Sequence, residues 1–185
     1  MKIEQTALAG VVILIPQRHG DARGFFSESW NYARMRDAGL TYNFVQDNHS
    51  LSATSGTLRG LHYQSPPHAQ AKLVRCGRGV LWDVAVDIRR GSPTYGHWTG
   101  VKLTPENGCQ LLIPAGFLHG FVTRVPDTEI IYKCTDYYAP ECDGAIAWDD
   151  PDLCIDWGVQ NPVLSGKDAA APPLAQITSP FTWES

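Results

Sequence analysis

Of the six histidines in the chain, His62 stands in the company best suited to moving protons. A neutral imidazole, with an ordinary pKa of about 6.5, takes up a proton at physiological pH. Gln46-Asp47-Asn48-His49, Arg59, Lys72, His119 and Tyr132 all fall, like His62, on predicted strands. Polar groups at strand positions inside a barrel are costly unless they bind something, and barrel closure brings inward side chains of different strands into one cavity. Taken singly, His62 reads as a histidine satisfied inside the barrel and Tyr132 as a wall aromatic. Only the joint pattern makes a site. Arg59 and His62 are three apart, a spacing that a regular strand sends to opposite faces. Gly60 between them is therefore expected to carry a bulge that re-aims one of the two.

The elements that must position these residues are short strands punctuated by Gly, Pro, Asn and Asp. Residues 11–15 predict a strand ended by Pro16, and 24–29 a second one after the turn Gly20-Asp21-Ala22-Arg23-Gly24. A helix is predicted over 31–38, with Asn31 or Ser29 as cap and Gly39 as stop. Further on, Val80, Trp82, Val84 and Val86 are apolar while Asp83 and Asp87 take the other face, which predicts a strand with one buried side. Strands over 101–103, 109–113, 120–124, 129–135 and 145–148 follow at close spacing, and Arg89-Arg90 reads as a solvated turn. So many short strands indicate a sandwich or barrel. After Trp157 the composition shifts, and 165–173 reads as a loop or short helix entering a polar tail. There is no internal repeat, so residues 1–185 are expected to form a single domain.

The chain has 185 residues, 43% hydrophobic and 18% charged, as in a globular protein able to bury a sizeable core. Its formal net charge of −4 gives no support to nucleic-acid or anionic-membrane binding, so an anionic ligand must be met by locally placed Arg and Lys. The first residues lack the order of a signal peptide and no apolar stretch reaches a bilayer span, which predicts a cytosolic protein. Cys76, Cys109, Cys134, Cys142 and Cys154 are odd in number and without C-x-x-C spacing. They are expected to be small buried apolar residues, neither disulfide-bonded nor zinc-binding.

Two segments carry a more specific signal: Gly56-Thr57-Leu58-Arg59-Gly60-Leu61-His62, and Gly108 followed by Pro114, Gly116 and His119. Their spacing resembles the two signature motifs of cupins, small double-sheet barrels with a ligand in the opened end. That resemblance implies an all-β fold, a cupin-like double-stranded β-helix or jelly-roll barrel with short peripheral helices. Metal-binding cupins carry a second His two positions after the first and a Glu further on. Here Gln64 takes the His position, and the following segment carries Lys72 without a Glu. His62 and His119 alone fall short of the three or more protein ligands such sites need, so no metal is expected.

Longer motifs sharpen the resemblance. Gly24-Phe25-Phe26-Ser27-Glu28, residues 44–50, Leu58-Arg59-Gly60-Leu61-His62-Tyr63-Gln64, Lys72-Leu73-Val74, residues 113–120 and Tyr132-Lys133-Cys134-Thr135 together resemble the dTDP-4-dehydrorhamnose 3,5-epimerase family. The likeness runs from about Gly10 to Pro173. It implies a cofactor-free isomerase acting on dTDP-4-dehydro-6-deoxy-D-glucose, with His62 as base, Tyr132 as acid on the opposite face of the sugar, and Asp168 paired with the histidine. Lys72 is then the first choice, and Arg59 the second, to meet an enolate oxygen. Arg59, Lys72, His119, Gln46, Asp47, Asn48, Glu28 and Lys167 match positions that hold sugar and diphosphate, and Phe25 belongs to the same binding set. Arg23 matches a phosphate contact that the family supplies across a homodimer, and Tyr138 matches the aromatic that stacks on thymine. Asp143 departs from the family's usual Glu at a nucleotide-contacting position, keeping the charge with a shorter reach. Rival readings are an epimerase acting at one carbon only and a non-catalytic sugar-nucleotide binding module.

Overall fold

A computed structural model describes residues 1–184 of the chain. In order these form β1 (Lys2–Gln5), β2 (Val12–Ile15), β3 (Arg18–Asp21), β4 (Gly24–Ser27), α1 (Tyr32–Asp37), β5 (Gln46–Ser52), β6 (Leu58–Gln64), β7 (Lys72–Arg78) and β8 (Leu81–Asp87). There follow β9 (Trp98–Leu103), β10 (Gln110–Ile113), β11 (Phe117–Thr123), β12 (Thr128–Cys134), β13 (Asp143–Ala145) and α2 (Gly166–Ala169). Six strands form one sheet in the order β1-β2-β10-β7-β12-β5, and five form a second in the order β13-β6-β11-β8-β9. The strands β3 and β4 make a separate hairpin. The expected all-β jelly-roll with short peripheral helices is thus the observed architecture.

The two sheets face each other across an apolar interior. Val74, Cys76, Leu111, Ile113 and Ile130 of the first sheet pack there with Leu81, Ala85, Leu103, Phe117 and Phe121 of the second. Alternation along each strand sends the next residues outward, yet those faces are covered too. Val84, Val86, Leu118 and Val122 lie under Ile146, Leu153, Trp157 and Leu174 of the C-terminal segment. Val12, Leu14, Leu73 and Leu112 lie under Met35 of α1, with Trp30, Leu40 and Phe44 around it. The helix α1 forms where it does because Asn31 caps it, its Oδ1 accepting from the Arg34 amide at 3.1 Å. It stops where Gly39 takes a φ of +83°, a backbone setting that favours glycine. Burial of Met35 contributes roughly 2 kcal/mol to holding it on the sheet.

Several sequence expectations are corrected. The strand β8 is buried on both sides, because the C-terminal segment covers the face that alternation assigned to the core and the barrel interior encloses the face assigned to solvent. Asp83 and Asp87 are accordingly 0% exposed. Arg89 is no solvated turn residue: it is ion-paired with Asp87 at 2.7 Å and held between the rings of Phe117 and Trp183. Residues 146–148 are not strand, since the pairing of β13 ends at Ala145. The strands β1 and β3, short and largely polar, had no periodic signal long enough to read. All five cysteines are free, but only Cys76, Cys134 and Cys142 are buried, and Cys154 is exposed.

Candidate active site

The strand β6 carries the site, and its bulge is what lets it do so. Opposite it in β11, Phe121 pairs with Arg59 and His119 with His62, so Gly60 and Leu61 together face the single residue Gly120. The extra residue restores the inward direction after a spacing of three. Leu58 and Leu61 both enter the outer core, while Arg59 and His62 share the lining of one cleft. Only glycine fits at the bulge: Gly60 has a φ of +132°, and a Cβ there would lie 2.6 Å from the Gly120 Cα.

His62 is fixed from behind. Ser165 caps α2 by accepting from the Asp168 amide, and the buried Asp168 carboxylate accepts from His62 Nε2 at 2.6 Å. Burial alone pushes the Asp168 carboxyl upward, but the bond and charge of His62 outweigh it and hold its pKa below the ordinary value. An ionised carboxylate only accepts, so Nε2 carries a hydrogen, and in the neutral ring Nδ1 is then the nitrogen with the lone pair that a base needs. The segment that supplies Asp168 also supplies Lys167.

In front of His62 lies a cavity of about 450 Å³ lined by His62, Lys72, Tyr132, Gln46, Asn48 and Tyr138, among others. Tyr132, from β12, is half-buried; burial pushes its phenol pKa up, Cys134 adds to this and Arg59 opposes it. It is a protonated donor at neutral pH. Lys72, from β7, is partly desolvated, which pulls its ammonium pKa down, while Cys134 and the carboxylates of Asp143 and Asp83 act to raise it. At the rim Asp143 accepts from the Tyr138 hydroxyl at 3.1 Å and pairs closely with Lys167. Gln46 donates to Asn48 Oδ1 at 3.1 Å and accepts from the Tyr138 amide at 3.0 Å. A narrower recess below is lined by His119, whose Nε2 donates to the buried Asp83 at 2.6 Å.

The fold therefore brings together His62, Tyr132, Lys72, Gln46, Asn48, Tyr138, Asp143 and Lys167, with Arg59, Asp168 and His119 immediately adjoining. It does not bring Asp47, which alternation turns to the outer face of β5, where it pairs with Lys133 at 2.9 Å. Arg23 is exposed at the tip of the β3–β4 hairpin, bound closely to Asp21. Phe25 lies under Arg18 in a separate cavity, and Glu28 pairs with Arg34 at 3.1 Å. Sequence reasoning missed Tyr63, Gln64, Gln70 and Cys134 as lining residues. Gln64 and Cys134 had a signal, the even spacing from His62 and Tyr132 that puts them on the same side. It missed Asp83 because a carboxylate amid large apolar residues was read as the solvent face. Gln64, at the position of a metal-cupin histidine, is bound instead to the backbone of His68, Tyr137 and Ala139. Among the described residues no three His, Cys, Asp or Glu side chains are grouped to hold an ion.

Two antiparallel sheets closed over a polar cavity, with a histidine–carboxylate pair on one wall and a half-buried tyrosine on another, define a cupin-like barrel equipped for acid/base chemistry. Known proteins narrow the class. The family model described as dTDP-4-dehydrorhamnose 3,5-epimerase matches residues 5–176. The protein of that name from Salmonella typhimurium is 52% identical over 178 residues, covering 95% of this chain and 97% of its own. A solved dTDP-6-deoxy-D-glucose-3,5-epimerase from Legionella pneumophila, in complex with dTDP-4-keto-L-rhamnose, superposes with a TM-score of 0.95 at 47% identity, covering 100% of this chain and 99% of the other. A solved 3'-monoepimerase from Streptomyces bikiniensis, in complex with dTDP-quinovose, has a TM-score of 0.86 at 35% identity, covering 92% and 86%. The chain belongs to the dTDP-4-dehydrorhamnose 3,5-epimerase family.

Proposed function

We propose that the chain, acting as one domain over residues 1–185, inverts C3 and C5 of dTDP-4-dehydro-6-deoxy-D-glucose. Hydrogens on carbons beside a ketone are acidic because the electron pair left behind delocalises onto the ketone oxygen. His62 Nδ1 takes the proton from one face, and the pair moves into the enolate, whose oxygen faces the ammonium of Lys72. The Tyr132 hydroxyl then returns a proton from the opposite face, and exchange with solvent restores His62 and Tyr132. Asp168 is the positioning residue that keeps His62 in the right tautomer and balances the imidazolium. A charged partner for the enolate oxygen in a desolvated site is worth about 3 kcal/mol of barrier.

The observation that carries this reading is the His62–Asp168 pair and the protonated Tyr132 lining one cavity beside a partly desolvated lysine. The name and bound sugar of the Legionella relative support the substrate. Arg59, Lys72, Lys167, Gln46, Asn48 and His119 hold the sugar and diphosphate in this reading, and Tyr138 stacks on the base with Asp143 beside it. Arg23, Phe25 and Glu28 then serve the cavity of a second copy. The hairpin that bears Arg23 and Phe25 stands apart from its own cavity and shows Phe25 and Phe26 60% and 70% exposed, which supports a homodimer. A single-chain mass by light scattering at micromolar protein would count against it. Five free cysteines suit a reducing compartment and so support a cytosolic location. No helix among the described residues is long and apolar enough to cross a membrane.

The Streptomyces bikiniensis monoepimerase shares the fold and favours a second reading, inversion at one carbon only. Incubation with the sugar nucleotide in heavy water separates the two. Deuterium at both C3 and C5 is expected, label at one carbon would establish the monoepimerase, and no label despite dTDP binding would leave a binding module.

A further inference from the structure

Gln64 is 5% exposed and ties the segment after its own strand to the loop that crosses the mouth of the cavity. Its Nε2 donates to the carbonyls of His68 at 2.6 Å and Tyr137 at 3.0 Å, and its Oε1 accepts from the Ala139 amide at 3.0 Å. Gln46 takes the amide between them, that of Tyr138, at 3.0 Å. Three successive backbone groups of residues 137–139 are thus held by two glutamines that stand on the first two strands to reach the cavity. The loop has no ladder partner of its own at these residues, and while Ala139 is buried, Tyr137 and Tyr138 are both exposed. What fixes Tyr138 is therefore its backbone, together with the hydroxyl bond to Asp143 at the rim, and not burial of its ring.

We propose that Gln64 is a positioning residue for the nucleoside end of the site: through the backbone of residues 137–139 it presets Tyr138 over the cavity mouth and so sets affinity for the nucleoside diphosphate, not the rate of proton transfer. This rests on the reading that Tyr138 stacks on the base. The chemistry demands an amide, because the position must donate twice and accept once. A carboxylate would set lone pairs against two carbonyls, and a histidine ring cannot serve all three partners. The residue that stands where metal cupins keep a ligand has been turned from the centre of the barrel to its rim.

The test uses the full-length protein, with dTDP as the calorimetric probe and the sugar nucleotide as substrate. Gln64→Glu is expected to raise both the Kd for dTDP and the KM about 10-fold, the scale of one or two lost buried hydrogen bonds, with kcat within about twofold of wild type. Tyr138→Ala is expected to weaken dTDP similarly, and the double variant to bind no worse than Tyr138→Ala alone, because two residues acting through one contact are not additive. Loss of kcat with unaltered Kd would overturn the proposal by moving Gln64 to the chemistry, and multiplying effects in the double variant would overturn it by separating Gln64 from Tyr138. If Gln64→Glu does not fold, hydrogen exchange in the wild type decides: amides of Tyr138 and Ala139 protected before dTDP is added are expected, and exchange at free-loop rates overturns presetting. Wild-type protein that does not bind dTDP would overturn the nucleoside reading underneath, whereas tight wild-type binding with Gln64→Glu unaltered would overturn the positioning role alone.

Discussion

At the scale of single residues the site is a set of side chains whose ordinary chemistry has been adjusted by one neighbour each. His62 has its hydrogen assigned by Asp168, Tyr132 is kept protonated by partial burial, and Lys72 is held in a partly desolvated wall of the cavity that lowers its pKa. His62→Ala is expected to lower kcat by about 10³-fold or more while dTDP affinity stays within about threefold, since a base acts mainly in the transition state. Calorimetry with dTDP beside a deuterium-exchange assay checks it, and equal loss of both would remove His62 from the base role. Most of this set was legible in the sequence, because His62, Arg59, Lys72 and Tyr132 are polar residues on strands that pattern as barrel walls. Asp47 was not correctly legible: Gln46-Asp47-Asn48 are consecutive polar residues, and without an apolar neighbour to fix the phase nothing says which of them alternate inward. Arg23, Phe25 and Glu28 fall outside the chain's own cavity, and only the family resemblance, not the strand pattern, set them in the site.

Two elements show how backbone details govern the site. The bulge in β6 depends on glycine, so Gly60→Ala is expected to cost several kcal/mol, with about 1–2 kcal/mol from the backbone setting and the rest from the clash with Gly120. Activity should fall with stability, since the displaced strand carries Arg59 and His62, and thermal melts with turnover assays check both. The connection from β8 to β9 depends on Asp87, which accepts from the Arg89 amide and guanidinium and from Ser92 and Thr94. Burial by itself pushes this carboxyl up, yet those bonds bring it from 3.8 down to about 2. A depressed folded value means stability that is fully present above the unfolded value and is lost as pH falls from about 4 toward 2. Asp87→Asn is therefore expected to destabilise by about 2–3 kcal/mol at pH 7, the worth of a carboxyl lowered from 3.8 to about 2. The gap to wild type in urea unfolding should narrow as pH falls toward 2; a constant gap would mean that Asp87 acts through packing alone. The bulge was predictable from the three-residue spacing around Gly60, whereas the Asp87 anchor was hidden because a sheet covered on both faces does not mark its outer side with solvent-exposed residues.

For the whole molecule, the separation of the hairpin from the cavity gives a test of assembly. If hairpins serve opposite cavities, a dimer of one Arg23→Ala chain and one His62→Ala chain concentrates both defects in one site and leaves the other intact. Random mixing of the two inactive variants is then expected to restore about a quarter of wild-type turnover, because half the dimers are mixed and each holds one good site. Recovery of nothing would confine Arg23 to its own chain, and an Arg23→Ala protein that is fully active by itself would leave Arg23 with no role. The His62–Asp168 pair has a consequence of another kind. Its two members lie 106 residues apart in the chain, so the pair is complete only when the segment carrying α2 has docked on β6. Long loops close late. In refolding from urea, turnover is expected to return after the far-ultraviolet signal of the strands, and to lag by the time that docking takes. The enzyme's own reaction then serves as a clock for the last step of its folding.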